Sequence, residues 1–166
     1  QEVKGKKLCD GRVLFAKQKR RYGSVELVYE LVKKADCRTL EEIKRVVERM
    51  KLPAKKTFAV VCERDGEHAF RSVDVEGVVA RVLHGRGWET DFKNPKKTLF
   101  VDICSEKCFF GFLVKERLCR REYRVRINNQ SVNGCLAYAV VKVSGAKRND
   151  VVVDPLCKDG VIAIEA

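Results

Sequence analysis

The sequence predicts an α+β chain, and three observations carry that class. A capped amphipathic helix at 39–50, a strand, turn and helix at 57–83, and a pair of alternating segments at 98–114 follow one another. From residue 131 the pattern changes to a helix, a short apolar strand and the start of another helix.

Taken in order, Gly11 to Ala16 reads as a strand. Ser24 then caps a helix running to about Lys34, with Val25, Val28, Leu31 and Val32 inward. The residues between them, KQKRRYG, form a basic turn. The next helix is better specified. Thr39 and Glu42 have capping-box spacing, Leu40, Ile43, Val46, Val47 and Met50 share one face, and Pro53 closes the segment.

Phe58, Val60 and Cys62 alternate as one face of a strand, and Arg64-Asp65-Gly66 is a turn. Ser72 opens a helix whose apolar side is Val75, Val78, Val79, Val82 and Leu83, and Gly85 to Gly87 ends it. Leu99, Val101 and Ile103 alternate with Phe100 and Asp102, so one face of that strand is expected to be buried. CFFGFLV at 108–114 answers it as the second strand of a hairpin. Gly111, set among three phenylalanines, marks a bulge or a close approach. In the tail, Leu136, Ala139, Val140 and Val143 mark a helix ending at Gly145. Val151 to Asp154 is a strand of parallel-sheet type, and Val161 to Ala166 starts a helix. Together they read as the opening of a Rossmann-like nucleotide-binding domain.

The charges need a separate explanation. Lys+Arg 35 against Asp+Glu 23 gives +12 over 166 residues, which points to an anionic partner with nucleic acid first. Arg64, His68, Arg71, Arg81, His84 and Arg86 crowd one strand-helix unit, as a phosphate-binding face or as a solvated helix face. Lys93, Lys96 and Lys97 stand beside Trp88 and Phe92. Basic residues interleaved with aromatics hold single strands by charge and stacking, although Trp88 equally fits a core anchor. Lys115 to Arg126 carries six cations against Glu116 and Glu122, as a phosphate-tracking connector or as an exposed linker.

An apolar fraction of 45% supports real cores, and no run approaches the roughly 18 apolar residues that a membrane helix needs. The eight cysteines show no Cys-x-x-Cys pair and no zinc-finger partner histidine, so free thiols and no metal are expected. A local Cys104–Cys108 bridge is the minority reading.

Several of these residues together resemble a THUMP domain, an RNA-binding module of RNA-modifying enzymes. They are the Phe58-Ala-Val strand, Glu63-Arg64-Asp-Gly-Glu-His68, Phe70 to Ser72, Val73 to Glu76, and Asn94-Pro95. Leu136 to Val140, Ser144-Gly145 and Asp154-Pro155-Leu-Cys157 resemble the start of the methyltransferase domain in THUMP-containing tRNA guanine-N2-methyltransferases. The resemblance implies a shortened ferredoxin-like unit at 1–54, a THUMP core at 55–116, a basic linker at 117–130, and the start of the methyltransferase domain at 131–166.

By the same resemblance, the partner is tRNA, gripped at its acceptor end by Arg64, His68, Arg71, Lys93, Lys96 and Lys97. Arg86 and the linker residues Arg120, Arg121 and Arg124 join that set as further RNA-binding candidates. A cytoplasmic protein with no membrane or DNA partner is implied. The implied cofactor is S-adenosylmethionine, with Asp154, Pro155, Cys157 and Gly160 matching its loop. Lys158 and Asp159 depart from the family's Gly-Ser/Thr pattern, which puts the cofactor site in doubt. The chain stops six residues into the last helix. No catalytic residue is therefore assigned, and the chain alone is expected to be inactive; the alternative function is a non-catalytic RNA-binding adaptor.

Overall fold

The computed structural model describes residues 3–16, 21–54, 57–125 and 130–166. Residues 17–20 of the expected basic turn and Arg126 of the linker lie outside them. The chain divides into two units, residues 29–114 and residues 1–28 with 115–166.

The unit 29–114 is built on a five-stranded sheet in the order β3-β7-β6-β4-β5. The strands are β3 (Val28–Asp36), β4 (Thr57–Asp65), β5 (Glu89–Thr90), β6 (Lys97–Cys104) and β7 (Lys107–Lys115). β4 pairs in parallel with β5 and with β6, while β6 and β7 form the antiparallel hairpin. Two helices, α1 (Leu40–Arg49) and α2 (Ser72–Gly85), pack on one sheet face through Ile43, Val47, Val75, Val79 and Leu83. The capping box forms as expected: Glu42 N–H donates to Thr39 Oγ1 at 3.3 Å, and Thr39 N–H donates to Glu42 Oε2 at 3.2 Å. Gly87, with φ +79°, ends α2 in the left-handed conformation that glycine adopts without strain.

Three expectations for this unit change. The helix read at 24–34 is instead edge strand β3, because its apolar residues also alternate and β7 needs a partner. Residues 1–54 accordingly form no ferredoxin-like unit of their own among the described residues, since β3 joins the sheet of 29–114. The second face of β6 is also covered, with Phe100 and Asp102 both buried. Gly111, opposite Phe100, is a close approach: a Cβ there would meet Glu30 O at 2.4 Å and the Tyr29 ring at 2.6 Å. Tyr29 packs on Phe100 at 5.1 Å and donates its hydroxyl to Asp102 at 3.2 Å.

The other unit holds the hairpin β1 (Lys6–Cys9) and β2 (Arg12–Leu14), a single 3-10 turn at Leu118–Arg120, α3 (Gly134–Ser144) and α4 (Val161–Glu165). Asn133 caps α3, its Oδ1 accepting from Cys135 N–H at 2.8 Å, and Gly145 closes the helix at φ +74°. The inward residues of α3 are Cys135, Ala137 and Val141, whereas Leu136, Val140 and Val143 face solvent. Residues 151–154 form no strand. A parallel strand needs neighbours for its backbone groups, and the described residues supply none beside it.

Candidate nucleic-acid interface

The expected cations of unit 29–114 fall into two groups at opposite ends of β4. Arg64, His68 and Arg71 surround the end of β4 and the start of α2. Lys93, Lys96 and Lys97 surround the start of β4, where Lys97 pairs with Phe58. Arg64 and Phe58 are six residues apart along the strand, roughly 20 Å at about 3.3 Å per residue. These cations therefore form two basic sites, because parallel pairing of β4 and β6 puts both strand starts together and both strand ends together.

At the first site the loop is fixed by its own side chains. His68 places Nδ1 3.1 Å from Gly66 O and Nε2 2.8 Å from Ser105 O, so its ring ties this turn to the turn of the β6–β7 hairpin. Its ring lies against Phe70, which the Arg64 guanidinium also approaches at 6.0 Å. Arg64 Nε is buried without a hydrogen-bond partner among the described residues. Arg71 extends into solvent with 81% of its side chain exposed, and pairs loosely with Asp74 at 3.4 Å. The Asp74 carboxyl lies below the usual aspartate range, first through the Arg71 N–H and then through the guanidinium.

At the second site, Lys93 and Lys96 are exposed, while Lys97 lies over the Phe112 ring at 5.5 Å. Trp88 is an anchor of the core, buried and stacked on Phe112 at 6.4 Å. Arg86 has a structural task. Its Nη1 donates to Val47 O and Met50 O, each at 2.9 Å, and so satisfies the C-terminal carbonyls of α1. Of the two remaining cations of α2, Arg81 is exposed with its Nε donating to Gly77 O at 3.2 Å, and His84 faces Thr90 Oγ1.

Two arginines of the basic segment at 115–126 turn inward, because guanidinium forks fit buried carbonyls and carboxylates. Arg121 has 11% of its side chain exposed and pairs with Glu165 at 2.6 Å. It also donates to the carbonyls of Tyr22, Gly23, Leu118 and Gly134. Arg124 is 7% exposed and pairs with Asp159 at 2.8 Å. Arg120 alone of the three linker candidates reaches solvent.

The loop from Asp154 to Gly160 is also occupied with internal contacts. Asp154 Oδ1 accepts from Leu156 N–H at 3.1 Å, and Gly160 N–H donates to Cys157 O at 2.6 Å. Lys158 keeps a left-handed φ of +43° despite its side chain, and its ammonium donates to Gln130 Oε1 at 2.7 Å. Asp159 is held by Arg124 and Ser131. Pro155 and the exposed Cys157 complete the loop. The pairing of Arg124 with Asp159 and of Gln130 with Lys158 was not readable from spacing, since each spans about thirty residues. All eight cysteines are free thiols, and no three metal-ligating side chains cluster among the described residues. No helix among those residues is long and apolar enough to cross a membrane.

Comparison with known proteins supplies the family. The THUMP domain family matches residues 37–112, which run from the end of β3 through α1, β4, α2, β5, β6 and most of β7. The chain carries a THUMP domain. An RMKL-like methyltransferase domain family matches residues 121–166 after it, so the THUMP domain stands ahead of methyltransferase sequence.

A tRNA (guanine(6)-N2)-methyltransferase of Thermus thermophilus is 34% identical over 111 residues, 66% of this chain and 33% of that protein. A tRNA sulfurtransferase of Thermoplasma acidophilum is 35% identical over 85 residues, 49% of this chain and 18% of that protein. The crystal structure of TrmN from Thermus thermophilus superposes with a TM-score of 0.64 at 28% identity, over 85% of this chain and 45% of that one. The chain spans between about a fifth and a third of the length of the curated methyltransferases it matches. Both exposed basic sites belong to the THUMP domain, whereas Arg121 and Arg124 fall in the methyltransferase match.

Proposed function

We propose that this chain is the RNA-binding part of a tRNA guanine-N2-methyltransferase, its THUMP domain gripping tRNA near the acceptor end. The observation that supports it most is the order of the two family matches on one chain, THUMP and then methyltransferase. The methyltransferase match favours methyl transfer over the sulfur chemistry named for one of the relatives. Arg71, Lys93, Lys96 and Arg120 are the exposed residues that would meet phosphates, with Arg64 and His68 shaping the loop behind Arg71. Arg86, Arg121 and Arg124 serve the framework instead. Lys97 lies between these roles, its stem on Phe112 and its charge at the second site.

In this reading residues 131–166 lead into a Rossmann-like domain, and S-adenosylmethionine supplies the methyl group in a cytoplasmic enzyme. The residues in hand contribute binding and orientation, and none of them is assigned to catalysis. Fluorescence anisotropy with a labelled tRNA transcript tests the reading: unlabelled tRNA competes and duplex DNA at equal concentration does not. Equal competition by both would defeat it.

One observation favours a second reading, a non-catalytic THUMP adaptor. Lys158 and Asp159 occupy the cofactor loop and are tied to Gln130 and Arg124. Calorimetry with S-adenosylmethionine on a version extended past Ala166 separates the two. Heat of binding supports the enzyme, and its absence supports the adaptor.

A further inference from the structure

Phe92, between β5 and β6, has 84% of its surface in solvent, and the next most exposed aromatic side chain is Tyr123 at 37%. The loop that carries it is fixed on both sides. Asp91 N–H donates to Phe58 O at 2.8 Å, and Lys96 N–H donates to Thr57 Oγ1 at 3.1 Å. Between these ties, Asp91 Oδ1 accepts from Lys93 N–H at 2.9 Å and from Asn94 N–H at 3.0 Å, and Pro95 restricts φ. The ring is therefore held out by a pinned backbone.

A lone exposed phenylalanine is ordinary on a protein surface. This one shares its loop with Lys93, the next residue, and Lys96, both exposed, whose ammonium groups have no partner among the described residues. Asp91, the only acid from 91 to 97, turns an oxygen onto the loop's own amides. An exposed aromatic ring and exposed ammonium groups on one pinned loop match single-stranded nucleic acid, in which the base face and the adjoining phosphates are both open. A base inside a duplex has its faces covered by its neighbours, so the ring would select an unpaired one.

We propose that Phe92 is the stacking platform for one unpaired base of the bound RNA, with Lys93 and Lys96 on the adjoining phosphates. The proposal rests on the RNA-binding reading above, and the test separates the two. The whole chain is titrated with a blunt RNA duplex and with the same duplex extended by a single-stranded tail containing 2-aminopurine. Phe92→Ala is expected to weaken binding of the tailed RNA by roughly five- to a hundredfold, to leave the blunt duplex unchanged, and to abolish 2-aminopurine quenching. Phe92→Trp keeps both affinity and quenching. Lys93→Ala and Lys96→Ala each lower the salt slope by about 0.7, while Phe92→Ala leaves it unchanged.

If wild type binds the tailed RNA and Phe92→Ala binds it equally well, stacking is overturned and RNA binding stands. Equal losses on blunt and tailed RNA also overturn it. If wild type binds neither RNA, both readings fall. Binding of Phe92 to anionic lipid vesicles with no effect on RNA would overturn the stacking role as well.

Discussion

The guanidinium of Arg121 meets the carboxylate of Glu165 at 2.6 Å, each side chain about nine-tenths buried. Arg121 also lies so close to Gly134 that a Cβ there would meet its Cγ at 2.6 Å. Removing one partner of a buried pair leaves the other charge uncompensated, at a cost of about 3 kcal/mol or more. Arg121→Ala is expected to lose that much in denaturant unfolding. Arg121→Lys should recover little, because an ammonium cannot reach four carbonyls and a carboxylate in a fork. Recovery to wild-type stability would refute this role.

Gly111→Ala should destabilise the sheet of unit 29–114 by about 1–3 kcal/mol, since the added methyl meets Glu30 O and the Tyr29 ring. Thermal unfolding checks this. Pairing the change with Tyr29→Ala should not restore the stability, because the carbonyl remains in the way.

Asp159 titrates below the ordinary aspartate value, held there first by Ser131 and then by Arg124. Its contribution to stability is complete above the ordinary value of 3.8 and is lost as pH falls through the lower folded value. Asp159→Asn should therefore flatten the acid limb of the stability profile. An unchanged acid limb in that variant would contradict the assignment.

Burial pushes the Cys62 thiol up to about 12 and that of Cys135 up to about 11. The hydrogen bond with Cys37, and then burial, raise Cys108 as well. Cys157 is exposed. At neutral pH a thiol-reactive probe should label Cys157 rapidly, and Cys62, Cys108 and Cys135 only after denaturation, as read by peptide mass spectrometry.

The elements most legible in the sequence were those with local signals. The Thr39 and Glu42 capping box, the helix from Ser72 and the hairpin of β6 and β7 are short-range patterns, and all three form. Residues 28–36 were misread because Val28, Leu31 and Val32 fit a helix face while the same stretch also alternates, and only the distant β7 decides between them. The cations were legible as a class but not as individuals. Arg121 and Arg124 look like linker charges until Glu165 and Asp159, some forty residues away, are seen to neutralise them. Arg86 likewise reads as an exposed helix-end cation, yet it caps the carbonyls of α1.

The most direct test of the account is the salt dependence of tRNA affinity for the whole chain, compared with charge reversals at Arg71 and Lys96 and at the β3 residues Lys33 and Lys34. A steep fall in affinity is predicted, with a log-log slope near 0.7 to 0.9 per neutralised phosphate. Reversal at Arg71 or Lys96 should make that slope shallower, and reversal at Lys33 and Lys34 should have little effect. A flat salt profile, or losses at Lys33 and Lys34 equal to those at Arg71 and Lys96, would contradict the proposal that the two exposed basic sites of the THUMP domain hold RNA.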